Sequence, residues 1–413
     1  RLISRGQFAK AQRVLTSAGT APAGEETLNK LKSKIEAPEM PVGESEWSDA
    51  ARAAREAPKT GVNLDKVTMS DLYKALKTVK PLTAPGPSGH RNEYLLCALN
   101  NAGGLKEKLE SGLVAVIKQI VGGRVPPAVL PLLKAGTLIA LDPAKCRPVV
   151  MGDMLLKMAE RYMANCYEAT LVPIFQKMGQ LGGPGVKGGT EAAAQLVRAM
   201  LAKKAKEAYE KGEKVGFVVI SADIANAYNT LSASTIAKVS AEYIPEAVAY
   251  VRMMYGSDSD LLYDMGAEVV TILCKTGVRQ GAPLSTIIFC LAYLAALQAV
   301  LEATEGESCS VAIADDNNML VPIEQAAKAI KAFEAAAKKM GLKPNVGKYK
   351  VWAPKPSIDG NFDETASCDE LAELLEAEGI YLIPEDGVPT GKSKEHWDEK
   401  RREAAQLGVP VMP

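Results

Sequence analysis

Residues 309–321, CSVAIADDNNMLV, are two short apolar runs about a polar centre. Alternation of that kind marks a β-hairpin, because successive strand side chains face opposite sides of a sheet. The polar centre holds Asp315 and Asp316. A second run, VGFVVIS over 215–221, is β-branched and uncharged, as a buried strand requires, and Asp223 stands just beyond it. Pairing that strand with the hairpin in one sheet would bring Asp223, Asp315 and Asp316 into a small volume. Like charges held that close raise one another's pKa unless a cation neutralises them. Magnesium is a hard ion that suits oxygen ligands and is often shared with substrate phosphates. Two such ions about 3.5–4 Å apart stabilise the attacking and leaving oxygens of a phosphoryl transfer. Taken alone, Asp-Asp-Asn-Asn is ordinary turn chemistry, and one aspartate ending a strand is equally weak.

Other chemistries are poorly supplied. Only two histidines occur, His90 and His396, which argues against histidine-based catalysis or a multi-histidine metal site. The seven cysteines form no CxxC pair, so no zinc site is indicated, and their scatter fits a reducing compartment. Lys plus Arg equals Asp plus Glu, at 49 each. Phosphate binding favours basic surfaces, so a nucleic-acid partner would require a basic channel offset by acidic surface elsewhere. A length of 413 residues with 47% apolar residues predicts two or three sub-domains around cores. Leu284–Leu301 is uncharged and about long enough to span a bilayer. Its Ser285, Thr286, Tyr293 and Gln298, with no basic anchor cluster beside it, predict a buried helix and no membrane partner. The chain begins at Arg1 and shows no signal peptide, as a fragment or internal region would.

The rest reads mostly as helices. Residues 1–36 are helical in pattern with a break at Thr20–Gly24, and Pro38–Ser48 reads as a linker. Helical spacing resumes at Ala50–Arg55 and over Met69–Val79, with Ser70 as N-cap. Gly136–Leu141 is a short strand, and Arg147–Gly152 a strand and turn. Met154–Leu171, Glu191–Lys211, Leu284–Ala303 and the amphipathic Ile323–Met340 are helices.

Seven segments in order carry a resemblance. They are APGPSG (84–89), KCRPVVMGD (145–153), GVKGGTEAAAQLVR (185–198), SADIANAYN (221–229), GVRQGAPLS (277–285), AIADD (312–316) and GLKPNVGKYKVW (341–352). From about Leu76 to Trp352 the chain resembles the reverse transcriptases of non-LTR retrotransposons. GQFAKAQRVLTSAG (6–19) is similar to a segment that precedes the polymerase in some of these elements. The resemblance implies an α+β, right-hand polymerase of fingers and palm. A small antiparallel palm sheet would be backed by helices, with a helical N-terminal extension. The implied divisions are 1–60 extension and linker, 61–214 fingers and connecting helices, 215–355 palm, and 356–413 a degenerate palm-end and partial thumb.

In that family Asp223, Asp315 and Asp316 would be the catalytic carboxylates. With the backbone carbonyl of Ile224 they would ligate two Mg2+ ions, for which Mn2+ could substitute. Arg147 would grip the incoming triphosphate, as a planar guanidinium does. Tyr228 would lie beneath the sugar as a steric gate. Gln280 and Gly281 would lie near the nascent base pair, and Lys348, or Lys350 in its place, would assist the leaving pyrophosphate. The implied partners are an RNA template, a DNA primer and deoxynucleoside triphosphates, in a nuclear setting. The chain departs from the family's usual pattern at Ala282, Thr286 and Ile313. After Trp352 the resemblance fades: EDGVPTGKSKEHWDEK (385–400) is at most a remnant of the palm end, the thumb is expected to be short or missing, and no endonuclease is recognised. Two rivals stay open. A decayed or domesticated element could bind RNA or scaffold a complex without polymerising, which the zero net charge favours and the retained acids oppose. An RNA-dependent RNA polymerase is opposed by Tyr228, whose ring would exclude a ribose 2′-hydroxyl.

Overall fold

The apolar strand runs pair into two four-stranded sheets, flanked by helices whose apolar faces cover them. The computed structural model describes residues 18–36, 44–79, 83–211, 217–352, 355–356, 362–363, 369–383 and 392–412. Its main strands are β1 (Gly136–Leu141), β2 (Arg147–Met151), β3 (Phe217–Ala222), β4 (Ile224–Ala225), β5 (Ser259–Asp264), β6 (Val269–Cys274), β7 (Cys309–Ile313), β8 (Asp316–Pro322), β9 (Lys343–Pro344) and β10 (Lys350–Trp352). Four helices concern the site: α1 (Met154–Lys177), α2 (Gly189–Lys211), α3 (Pro283–Ala303) and α4 (Ala326–Lys339). The chain divides into two discontinuous units, Arg1–Tyr167 with Ile236–Thr286, and Glu168–Thr235 with Ile287–Pro413.

The sheet of the first unit has the order β2-β1-β5-β6. β1 pairs antiparallel with β2 and parallel with β5. Gly136, Leu138 and Ala140 are buried and alternate with more open neighbours, the period of a half-buried strand. Helix Glu25–Ile35 covers that face. Its stripe of Leu28, Leu31 and Ile35 packs with Leu138, Ala140, Val150, Leu261, Tyr263 and Ile272. The break expected at Thr20–Gly24 is present, since this helix starts at Glu25; residues 1–17 lie outside the described set.

The second unit holds an antiparallel sheet of order β10-β3-β8-β7. β3 runs through its middle, pairing from Phe217↔Pro322 to Ala222↔Asn317 with β8, and at Lys350↔Ser221 through Trp352↔Val219 with β10. α3 is long and apolar enough to cross a membrane. It is a core helix here, with Ile288, Phe289, Tyr293 and Ala296 fully buried. α4 buries Ala329, Ile330, Phe333 and Ala337 and turns Lys328, Lys331 and Lys338 to solvent, the division expected of an amphipathic helix. Beyond Trp352 the described residues include helices Asp369–Ala377 and Lys394–Leu407 and a parallel pairing of Tyr381–Leu382 with Val411–Met412. Of the expected remnant at 385–400, residues 385–391 lie outside the described set and the remainder leads into the second of those helices.

Four details differ from the sequence reading. The helix expected from Ala50 begins at Glu44, so Ser48 lies inside it and not in a linker. The helix expected to end at Leu171 continues to Lys177 with Pro173 in its interior. Strands β5 and β6 were not anticipated; their turn is closed by Met265 N–H donating to Glu268 O at 2.9 Å, with Gly266 at φ +86°. The N-cap of helix Met69–Lys77 is Thr68, whose hydroxyl accepts from Asp71 N–H at 3.3 Å, while Ser70 falls within the first turn. Thr68→Ala should therefore cost about 1 kcal/mol, whereas Ser70→Ala should be close to neutral. Urea unfolding of both variants checks the assignment, and equal losses would contradict it.

Candidate active site

β3 ends at Ala222, whose rung partner is Asn317 on β8. One step further along the same register stand Asp223 and Asp316. The hairpin joining β7 to β8 closes at Ile313↔Asp316, so Ala314 and Asp315 are its two loop residues. Ala314 has φ +56°, the backbone that a two-residue hairpin loop of type II′ needs at its first position. The Tyr293 hydroxyl, from α3, donates to Asp315 O at 3.3 Å. Burial pushes that hydroxyl well above its usual pKa, and the negative charges of Asp315, Asp316 and Asp223 all push the same way. The three carboxylates thus share the neighbourhood of one buried phenol.

Asp223 has its own restraints. Its backbone oxygen accepts from Asn345 N–H at 2.9 Å and its Oδ2 from Asn345 Nδ2 at 2.9 Å. Lys348 Nζ lies 3.7 Å from the same Oδ2. That lysine is largely exposed, so the pair contributes little to stability. Buried Ile224 follows in β4, which pairs with Pro344 of β9 and so anchors the segment beyond Asp223. Asn345 was not singled out from sequence, although it lies inside GLKPNVGKYKVW.

Among the described residues, no three His, Cys, Asp or Glu side chains already form a metal cluster. The donors nevertheless fit a hard divalent ion. They are carboxylate oxygens at one end of one sheet, with more negative charge than Lys348 alone neutralises. Asn317, on the rung beside Asp223 and Asp316, is fully buried with neither side-chain polar atom hydrogen-bonded. Its side chain faces the side of the sheet opposite Asp316, because successive side chains alternate along a strand.

Tyr228 sits on the short helix Ala227–Thr230, entered through Asn226 at φ +53°. Its ring stacks on Phe289 at 4.5 Å and 15°. The series continues through Phe289–Tyr293 at 5.7 Å, Tyr293–Phe333 at 6.1 Å and Phe333–Tyr349 at 6.4 Å. Five rings therefore join the segment after Asp223 to the segment after Lys348.

The remaining candidates belong to the first unit. Arg147 opens β2 with its side chain exposed. Val150 N–H donates to Gln280 O at 3.0 Å, and a Cβ on Gly281, at φ +109°, would lie 3.2 Å from Val150 O. The APGPSG turn docks on the same strand's exit: a Cβ on Gly86 would meet Gly152 O at 2.5 Å, and Lys157 Nζ donates to Ala84 O at 3.2 Å. Behind Gln280, Arg279 is buried and donates to Lys134 O. Burial, then the Arg279 charge, lowers Lys134 to about 8. The buried Glu160 accepts from the Tyr250 hydroxyl at 2.7 Å, and burial raises its carboxyl. Sequence reasoning missed Arg279, Lys134 and Glu160, because local sequence displays their polarity and not their burial. The structure thus gathers Arg147, Gln280 and Gly281 in one unit, and Asp223, Ile224, Tyr228, Asp315, Asp316 and Lys348 in the other.

Phe289→Leu keeps an apolar side chain and deletes both ring stacks, each worth about 0.5–1.5 kcal/mol. Its unfolding free energy should fall by about 1–3 kcal/mol on that basis. Urea denaturation followed by circular dichroism checks this, and an unchanged midpoint would show the rings to be energetically idle.

The reverse transcriptase (RNA-dependent DNA polymerase) family model matches residues 133–409, about two thirds of the chain. The match spans every candidate residue above from Arg147 to Lys348, and it runs on past Trp352, where the resemblance read from sequence had faded. No curated protein matches the chain. Since the stretch that builds both sheets and carries all three aspartates is the stretch that matches, the chain belongs to the reverse transcriptase family of RNA-directed DNA polymerases.

Proposed function

We propose that this chain is a reverse transcriptase of the non-LTR retrotransposon class, with Asp223, Asp315 and Asp316 as its catalytic carboxylates. What supports this is the register of β3 on β8: it runs to Ala222↔Asn317, the rung just before Asp223 and Asp316, with Asp315 in the adjoining turn. The same three carboxylates and the Ile224 carbonyl would hold two magnesium ions. Bound there, magnesium would supply charge neutralisation for the triphosphate and a more acidic primer 3′-hydroxyl.

The chain's own groups do the positioning. Asn345 holds Asp223 at two points, its Nδ2 donating to the carboxylate and its backbone N–H to the Asp223 backbone oxygen. Lys348 brings an ammonium to the same place, where it would stabilise charge developing on the leaving pyrophosphate. Tyr228, backed by Phe289, presents a ring that would bar a ribose 2′-hydroxyl. Arg147 would grip the incoming triphosphate with paired hydrogen bonds. The positive φ of Gly281 lets its backbone approach the nascent pair without a side chain in the way, with Gln280 beside it. The partners would be an RNA template, a DNA primer and deoxynucleoside triphosphates. Residues 61–214 would serve as fingers, 215–355 as palm, and 356–413 as palm-end and partial thumb, behind the extension at 1–60.

Primer extension on an RNA template with magnesium tests the assignment. The Asp315→Ala, Asp316→Ala double variant should lose extension while keeping its fold and template binding. Extension at the normal rate by that variant would remove these carboxylates from the mechanism. Tyr228→Ala should raise ribonucleotide incorporation by roughly one to two orders of magnitude, and unchanged sugar selection would rule out the gate.

A further inference from the structure

The turn that carries Asp315 is held by a side chain outside the proposed catalytic set. Residues 179–182 lie along β7, the edge strand of the second sheet. Ala312 N–H donates to Gly179 O at 2.8 Å, and Leu181 and Gly182 N–H donate to Ala312 O at 2.8 and 3.2 Å. Gln180 pairs with Ala312 as a parallel bridge. The approach leaves no room for side chains. A Cβ on Gly179 would lie 2.0 Å from Ser310 O, and one on Gly182 would lie 2.4 Å from Ala314 N.

From this backing the fully buried Gln180 side chain reaches into the hairpin loop. Its Oε1 accepts from Ala314 N–H at 3.0 Å, and its Nε2 donates to Ala314 O at 3.0 Å. One carboxamide thus satisfies both backbone groups of the residue before Asp315. That residue is an alanine at φ +56°, a conformation that side chains other than glycine rarely adopt. The match is specific. A carboxylate would set a lone pair against Ala314 O, and asparagine is one methylene shorter.

We propose that Gln180 is a positioning residue for the polymerase reaction: its carboxamide locks the Ala314 turn and thereby fixes where Asp315 and Asp316 stand. The proposal rests on the assignment of those two aspartates as catalytic. The strained turn needs an external hold, and Gln180 supplies it from a segment already fastened to the sheet edge.

Gln180→Met preserves volume and deletes both hydrogen bonds. In magnesium-dependent primer extension with the whole chain it should lower kcat about ten- to hundredfold, the scale of a reacting group displaced by about 1 Å. The magnesium concentration at half-maximal rate should rise, with little change in nucleotide KM. Adding Ala314→Gly, which relieves the backbone strain, should recover part of kcat. Hydrogen exchange reads the clamp without catalysis. With no metal added, the Ala314 amide should exchange slowly in the wild-type chain and faster in Gln180→Met. Rapid exchange of that amide in the wild type overturns the clamp, whether or not the variant folds. Unchanged kcat and magnesium requirement in Gln180→Met, beside an inactive Asp315→Ala, Asp316→Ala chain, overturns the positioning role. Activity surviving in the aspartate variant overturns the catalytic assignment instead, and exchange at Ala314 then still decides the clamp.

Discussion

The register of β3 against β8 is the constraint on which the site depends. Side chains alternate along a strand, so a slip of one residue would exchange Val218 and Ile220 with Val219 between the two covered faces of β3 and carry Asp223 away from Asp316. Burial of the strand's apolar side chains and placement of its terminal acid are one event. The same sheet then accepts β10 on the other side of β3, which carries Trp352 and the chain just after Lys348 into the arrangement.

The first unit uses a different device for a similar end. There the backbone, and not a register of side chains, brings the motifs together. Gly86 and Gly281 permit two loops to lie against the strand and turn of RPVVMGD, one at Gly152 and one at Val150. Side chains at these positions would push the loops off the strand. Behind them, buried Arg279, Lys134 and Glu160 set polar groups where apolar ones would fill the space as well. Groups of that kind are expensive to desolvate and favour one arrangement over its competitors.

Much of this was legible in the sequence. β1 was read with the bounds it has, the hairpin around Asp315 and Asp316 was visible as alternation, α2 and α4 were visible as helical spacing, and α3 as a long uncharged apolar run. These features depend on residues close in sequence, where periodicity and turn chemistry act. Legibility failed where a distant partner decides the outcome. The cap is a local exception: Thr68 and Ser70 both offer hydroxyls, and the choice falls to the one that reaches the Asp71 amide. Asn345 and Gln180 look like ordinary polar residues until Asp223 and Ala314 are brought beside them by sheet pairing. The hairpin of β5 and β6 depends on β1 as a neighbour, more than a hundred residues earlier in the chain.

The central position of β3 has a consequence for biosynthesis. The strand is complete at Ala222, while β8 ends only at Pro322 and β10 only at Trp352. At about 5–20 residues per second on the ribosome, a nascent β3 waits on the order of ten seconds for its neighbours. Through that interval Val218, Val219 and Ile220 form an apolar strand with two unpaired edges, which invites pairing with another chain. The helix made just before it offers cover, since Leu201 of α2 packs on Val219 in the finished core. Contact between two elements so near in sequence forms early. α2 is thus placed to chaperone the strand, in cis, until the rest of the sheet has been translated.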